Sequence, residues 1–166
     1  TLYLGYSGPD LATNAVDADQ KWLFAYIDVD PGASTGAVES VTYRTQHAAM
    51  PTGFGAEFYA RRKSDGSFSS FEAYANNAWT TAAPISFGQA GTFVELAIPR
   101  SVFGTATTIG VVTWMINEKD NFEGTFAGLY ATNFTDGYAM TLPLTQYIRV
   151  DFESPRAPSD LAYRAP

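Results

Sequence analysis

Residues 21–30, KWLFAYIDVD, decide the fold class of this chain. With the two-residue period of a β-strand, one side of the segment carries the aliphatic residues Leu23, Ala25, Ile27 and Val29. The other side carries Trp22, Phe24, Tyr26 and Asp28. The aliphatic side predicts contact with a packed core. The aromatic side suits an interface, a second core or a ligand surface.

Other segments alternate in the same way and are separated by turn residues. Strands are predicted over residues 2–7, 38–45, 54–62, 68–75, 84–87, 92–98 and 109–117, with two or three more between 125 and 152. The Asp65-Gly66 turn predicts a hairpin from the strands on either side of it. No helical period of useful length occurs. We therefore expect an all-β fold with little helix, an antiparallel, jelly-roll-like β-sandwich of two sheets.

The composition indicates a folded, exported domain. The chain has 166 residues, of which 46% are hydrophobic and 15% aromatic, so disorder over most of its length is excluded. Only 16% are charged, against roughly 25% in an ordinary soluble domain, which is typical of secreted proteins. The net charge of −7 and the lack of a basic stripe argue against a nucleic acid or a membrane surface as partner. Cysteine is absent, which removes disulfides and thiolate metal sites.

The chain divides into a domain and a tail. Residues 1–152 are predicted to form one β-sandwich module. Residues 153–166, ESPRAPSDLAYRAP, carry three of the 9 prolines without alternation, as in a linker or the start of a following module. No apolar run approaches the roughly 20 residues that span a bilayer.

Several segments, taken in order, resemble a known family. LYLGYSG, LFAYIDVDPGASTG, a Tyr/Phe-rich hairpin, Trp79, FVELAIPRSVFG and IGVVTWMINE resemble the DOMON-like group that includes family 9 carbohydrate-binding modules, over residues 2–118. The resemblance implies an exported, non-catalytic β-sandwich that binds sugar, sometimes haem, and sometimes a structural calcium ion. Such modules occur in secreted bacterial polysaccharide-degrading and surface proteins. The usual opening strand before LYLGYSG is missing, so we expect an open sheet edge or a domain that begins upstream.

A sugar site needs aromatic faces for the ring and polar groups for its hydroxyls. The predicted site lies on the outward face of the hairpin and the segment after it, and consists of Trp79, Tyr59, Tyr74, Glu57, Arg61, Glu72 and Asn77. The prediction requires aromatic rings left free at the outside of the sandwich. The alternative is that Trp79 caps the edge of the core and the tyrosines cover a sheet face, as β-forming residues commonly do.

Two acidic segments and the histidine are the candidate metal-binding and catalytic residues of the sequence. Calcium takes six to eight oxygen ligands, and Asp28 and Asp30 are the predicted pair, completed by Asp17, Asp19 or loop carbonyls. Residues 118–123, EKDNFE, form a second oxygen-rich set, and in both places solvated acidic loops are the alternative. Haem is poorly supported because His47 is the only histidine. His47 also has no nucleophile elbow near it, so we expect no enzyme.

The predicted function is a non-catalytic carbohydrate-binding module of a secreted, multidomain polysaccharide-active or surface protein, of bacterial type. Its partner is a polysaccharide or an oligosaccharide, held through exposed aromatic rings. The alternative is a structural or assembly domain of an extracellular surface layer or filament. In that case a sheet edge or the aromatic face packs on a neighbouring subunit.

Overall fold

The computed structural model describes residues 1–33, 35–43, 47–119, 122–128, 141–154 and 163–164. Its strands are β1 (Leu2–Ser7), β2 (Lys21–Asp28), β3 (His47–Ala49), β4 (Phe58–Lys63), β5 (Ser69–Ala75), β6 (Ala78–Thr81), β7 (Ser86–Ala90), β8 (Phe93–Ile98), β9 (Thr108–Lys119), β10 (Phe122–Gly128), β11 (Thr141–Pro143), β12 (Tyr147–Asp151) and β13 (Tyr163–Arg164). Two 3-10 turns, Pro9–Leu11 and Arg100–Phe103, are the helical elements of these ranges. No helix in the described part of the chain is long and apolar enough to span a membrane.

Two antiparallel sheets face each other, which confirms the all-β prediction. The larger sheet has eight strands in the order β13-β12-β9-β2-β4-β5-β6, with β10 paired to β9 beside β12. The smaller has three, in the order β1-β8-β7. A separate parallel pair, β3 with β11, lies outside both sheets.

The first core fills the space between the two sheets. Its buried residues include Leu23, Ala25 and Ile27 of β2, together with Val94, Leu96 and Ile98 of β8. Val29 packs against the same cluster. The aliphatic side of β2 therefore meets a packed core, as its alternation predicts.

A second core covers the aromatic side of β2. Trp22, Phe24 and Tyr26 are 7%, 1% and 0% exposed, and they pack with Trp114 of β9. Ala48, Phe54 and Ala56, which follow β2 in the chain, and Leu142 and Leu144 cover them. The expectation of free rings is thus wrong for β2. Because β2 lies between β4 and β9 at the centre of the larger sheet, both of its faces are available for burial.

Several strand boundaries differ from those predicted. Residues 38–43 form no strand: Glu39 makes an isolated bridge with Ala49 and Tyr43 is a further bridge residue, because the chain here crosses the second core instead of joining a sheet. Within the predicted strand 54–62, pairing to β2 begins at Phe58, and Ala56 turns into the second core. Strand β6 was not predicted as a strand. The predicted turn at Asp136-Gly137 lies outside the described residues.

Candidate functional sites

The β5–β6 hairpin presents an aromatic pair at the edge of the larger sheet. Tyr74 and Trp79 are directly opposite each other across the two strands, and their ring centroids are 4.9 Å apart. Asn76 and Asn77 form the turn between them with φ of 53° and 59°. Asparagine tolerates this left-handed conformation better than most residues, which favours a two-residue hairpin turn. Asn77 is exposed at the tip of the hairpin.

Two buried tyrosines support Trp79 from below. The indole meets Tyr59 at a centroid distance of 4.7 Å and an interplanar angle of 87°, and it meets Tyr26 at 5.7 Å and 88°. Trp79 itself is half-buried. One part of the indole is therefore fixed by packing, while the rest remains open beside Tyr74.

The segment of sequence that contains this pair has no charged residue. No Asp, Glu, Lys or Arg occurs between Glu72 and Glu95, a stretch that includes β6 and β7. In a chain of net charge −7, this is a long neutral interval. Its polar groups are amides and hydroxyls, which can both donate and accept hydrogen bonds.

Tyr59, predicted to be exposed for sugar, is instead buried. It is 1% exposed and stacks on Tyr26 with ring centroids 4.9 Å apart. Burial raises the pKa of the Tyr59 hydroxyl well above its usual value. The prediction that this face of the hairpin points outward is wrong at Tyr59, because the face packs onto the second core here.

Arg61 and Glu72 are engaged with each other. The guanidinium of Arg61 donates to Glu72 Oε1 at 3.0 Å, to Ser70 Oγ at 2.8 Å and to the hydroxyl of Tyr43. It also lies over the ring of Phe68, 5.0 Å from the centroid. Both charged groups therefore already have hydrogen-bond partners within the chain.

Glu57 joins a different site from the one predicted for it. One carboxylate oxygen from each of Asp28, Asp30 and Glu57 lies within 4.8 Å of the other two. The sequence predicts Asp28 and Asp30 as a pair of calcium ligands, but it places Glu57 in the sugar site. Asp17 and Asp19 are not members of this cluster. Of the EKDNFE segment, Glu118 accepts a hydrogen bond from Trp22 Nε1.

The three carboxylates connect two loops. Asp28 accepts the backbone N–H of Gly55 at 3.0 Å and that of Asp30 at 2.9 Å, and Glu57 accepts that of Val29 at 2.9 Å. Thr35 donates to Asp30 at 2.7 Å. The loop after β2 is thereby held against the segment that leads into β4.

The electrostatics of the cluster favour a neutralising partner. Burial raises the pKa of Asp28 to about 6, with the charge of Asp30 as a smaller cause in the same direction. Burial also raises the pKa of Glu57, as do the charges of Asp28 and Asp30. Calcium binds its oxygen ligands at 2.3–2.6 Å, so two oxygens on the same ion lie at most about 5 Å apart. The three carboxylate oxygens, all within 4.8 Å of one another, satisfy this limit. One oxygen from each of the three carboxylates is therefore within reach of a single hard cation.

His47 lies beside a small cavity on the aromatic side of β2, the side that also carries Asp28. Its Nε2 is 3.2 Å from the hydroxyl of Thr141. Ser40, which also lines the cavity, accepts the N–H of Ala48 at 2.7 Å and donates to the carbonyl of Val41 at 3.0 Å. The cavity has about 10 Å³ of room for water, which fits one water molecule and no sugar.

Comparison with known proteins found no matching family model, no matching curated protein and no matching solved structure. The resemblance to DOMON-like carbohydrate-binding modules therefore stays a prediction.

Proposed function

We propose that this chain is a non-catalytic carbohydrate-binding module of a secreted protein. The observation that carries the proposal is the Tyr74–Trp79 pair, which is fixed from below by buried rings and open beside an exposed asparagine turn. An aromatic surface that is rigid before binding loses little conformational entropy when a sugar stacks on it. The low share of charged residues and the resemblance over residues 2–118 support the same function.

The contact residues of the proposed site are Trp79, Tyr74 and Asn77. The aromatic rings cover the apolar face of a pyranose, and the Asn77 amide bonds its hydroxyls. Tyr59, Arg61 and Glu72 are supporting residues of the Tyr74–Trp79 pair in this proposal. Tyr59 is buried, and Arg61 and Glu72 are hydrogen-bonded to each other. The partner is a polysaccharide or an oligosaccharide.

A calcium ion bound by Asp28, Asp30 and Glu57 would be structural in this proposal. The cluster joins loops that follow β2 and precede β4, while the aromatic pair lies on β5 and β6. When bound, the ion would neutralise three close carboxylates and stiffen the two loops. The ion itself would not contact the sugar, but Glu57 connects the cluster to the aromatic pair, because its carbonyl accepts the N–H of Tyr74 at 2.7 Å.

The test is affinity electrophoresis of the chain against a panel of soluble polysaccharides. Trp79→Ala is expected to abolish the retardation seen with any glycan that binds, and also to lower the unfolding temperature by several degrees, because the indole packs on Tyr59 and Tyr26. Tyr3→Ala is the matched control, because Tyr3 is an exposed aromatic residue on the other sheet. Full retardation of the Trp79→Ala variant, or no retardation of the unmodified chain by any glycan, would contradict the proposal.

A structural or assembly role is the second candidate function. The observation that favours it is an unpaired edge on the smaller sheet, where β1 pairs with β8 and with no other described strand.

A further inference from the structure

Strand β1 leaves one of its edges open. The bond from Gly8 N to the Thr92 carbonyl, 3.0 Å long, continues the β1–β8 register beyond Ser7. Because hydrogen-bonded pairs alternate in an antiparallel ladder, Leu2, Leu4 and Tyr6 direct their backbone groups to β8. The N–H and C=O groups of Tyr3, Gly5 and Ser7 therefore point to the open edge, where no other strand of the described chain pairs with them.

This edge lacks the features that usually prevent an edge strand from pairing with another chain. Natural edge strands are protected by charged side chains, proline, bulges or short length. Strand β1 has six residues with a continuous register, and it contains neither a charged residue nor a proline. The first charged side chain of the sequence is Asp10.

Apolar side chains on both faces lie incompletely covered at the same edge. Leu4 and Tyr6 pack against the first core and are only partly buried. On the outer face Tyr3 is 61% exposed and Phe93 is 41% exposed.

On the outer face, the middle of β1 has no side chain of its own, and the ring of Phe93 lies against it. Gly5 lies beside Phe93, and a Cβ at Gly5 would be 3.1 Å from the Phe93 ring. Ser7 is opposite Phe93 in the register. Of the three outer-face residues of β1, only Tyr3 has a large side chain beside a strand that pairs in the plane of the sheet.

We propose that β1 pairs antiparallel with β1 of a second copy of this chain, about a two-fold axis at Gly5. In this register Gly5 faces Gly5 of the second copy, and Tyr3 faces Ser7. All three residues with outward backbone groups then form hydrogen-bonded pairs, which gives six interchain hydrogen bonds. On the inner face Leu4 of each copy lies opposite Tyr6 of the other, so the partly buried apolar residues cover one another.

Charge permits this contact between two anionic chains. On the outer face the nearest charged residue is Glu95, which is opposite Gly5 in the β1–β8 register. In the dimer, three strand spacings of about 4.8 Å separate the two Glu95 residues, or about 14 Å. This exceeds the Debye length of about 8 Å at physiological ionic strength, so their repulsion is largely screened.

A second copy suits the edge because the strand is self-complementary in this register. The core-facing residues Leu4 and Tyr6 of the two copies lie opposite each other. Every N–H and C=O group that points to the open edge finds a partner in the other copy. Gly5, which has no side chain, lies at the two-fold axis. A single strand pairing is smaller than the roughly 800 Å² per partner of a standard interface. We therefore expect weak association, with a Kd in the micromolar range or weaker.

The test is sedimentation equilibrium of the chain between 5 and 500 µM. The weight-average mass is expected to rise from 18.0 kDa towards twice that value across the range. The double variant Tyr3→Glu with Ser7→Glu places like charges opposite each other, and it is expected to raise the Kd at least tenfold. Ser86→Glu is the matched control, because Ser86 is exposed on β7 at the far edge of the same sheet.

Charge complementation tests the register. The double variant Tyr3→Lys with Ser7→Lys should also be monomeric alone, and mixing it with the Glu pair should restore a dimer. Circular dichroism of each variant checks that it folds. A mass of 18.0 kDa at every concentration, a dimer that survives the Glu pair, or equal loss in the Ser86→Glu control would overturn the proposal.

Discussion

Trp79 meets Tyr59 edge to face, with 4.7 Å between the ring centroids and 87° between the ring planes. The contact joins an edge strand to the buried second core, since Tyr59 in turn stacks on Tyr26. The position of the indole is thus set by side chains that a ligand never touches.

Tyr59 is therefore expected to affect glycan binding indirectly. Tyr59→Ala removes a buried ring and should lower the free energy of unfolding by about 3 to 5 kcal/mol, in the range found for large aromatic truncations. Tyr59→Phe keeps the ring under Trp79 and should retain binding. Calorimetric titration of each variant with a glycan that binds the unmodified chain separates the effect of Tyr59 on stability from its effect on binding. Unchanged affinity in a folded Tyr59→Ala protein would show that the support is not needed.

The raised pKa of Asp28 predicts a stability that falls as pH increases. The folded state holds its proton up to a pKa of about 6, whereas an unfolded aspartate loses it near 4. The folded state therefore binds more protons between these values, and its stability decreases across this window. The expected loss is on the order of 1 to 2 kcal/mol without calcium.

Asp28→Asn removes this titration. Urea unfolding in EDTA at pH 4, 5, 6 and 7 should give a flatter profile for the variant than for the unmodified chain. The variant also loses one acceptor for the N–H groups of Gly55 and Asp30, so its stability should be lower throughout. Parallel profiles in the two proteins would exclude Asp28 as the source of the pH dependence.

Calcium is expected to stabilise the fold through the carboxylate cluster. At a concentration one hundred times its Kd, an ion that binds only the folded state contributes about 2.7 kcal/mol. Thermal unfolding in EDTA and in millimolar calcium should therefore differ by several degrees. Glu57→Gln and Asp30→Asn should remove most of this difference, and Glu153→Gln, an exposed carboxylate outside the cluster, should not. An equal calcium effect in all four proteins would place the ion elsewhere.

Gly55 is expected to tolerate no side chain. A Cβ there would lie 1.7 Å from the carbonyl oxygen of Thr35, a backbone atom that cannot move without shifting the loop. Gly55→Ala should cost more than about 2 kcal/mol, as overpacking against fixed atoms does. Gly88→Ala is the control, since nothing lies within 4 Å of the added carbon. Denaturant midpoints of the two variants would measure the contrast, and similar midpoints would argue against a tight loop contact.

The alternation along β2 was sufficient to predict the sheet, the first core and the all-β class. It could not choose among an interface, a second core and a ligand surface for Trp22, Phe24 and Tyr26. That choice depends on where the chain after β2 returns, which strand periodicity does not encode. The same limit explains why Tyr59 was expected on the outside.

The acidic cluster was half predictable. Asp28 and Asp30 lie two residues apart at the end of a strand, so their proximity follows from local sequence. Glu57 reaches them through the antiparallel pairing of β2 with β4, in which Ile27 faces Phe58. In the predicted strand 54–62, Glu57 was a carboxylate on the face assigned to the sugar site, and that was the available signal. Using it required the strand order, which composition and spacing do not provide.

The most direct measurement of the proposed glycan site uses the three tryptophan indole signals in an NMR spectrum of ¹⁵N-labelled protein. Trp22 and Trp114 are 7% and 4% exposed, whereas Trp79 is half-buried at the sheet edge. On titration with a glycan that retards the chain in affinity electrophoresis, the Trp79 indole and the Asn76 and Asn77 amides should shift, while the other two indoles stay in place. Binding that leaves the Trp79 signal unchanged, or that shifts only signals elsewhere, would contradict the account.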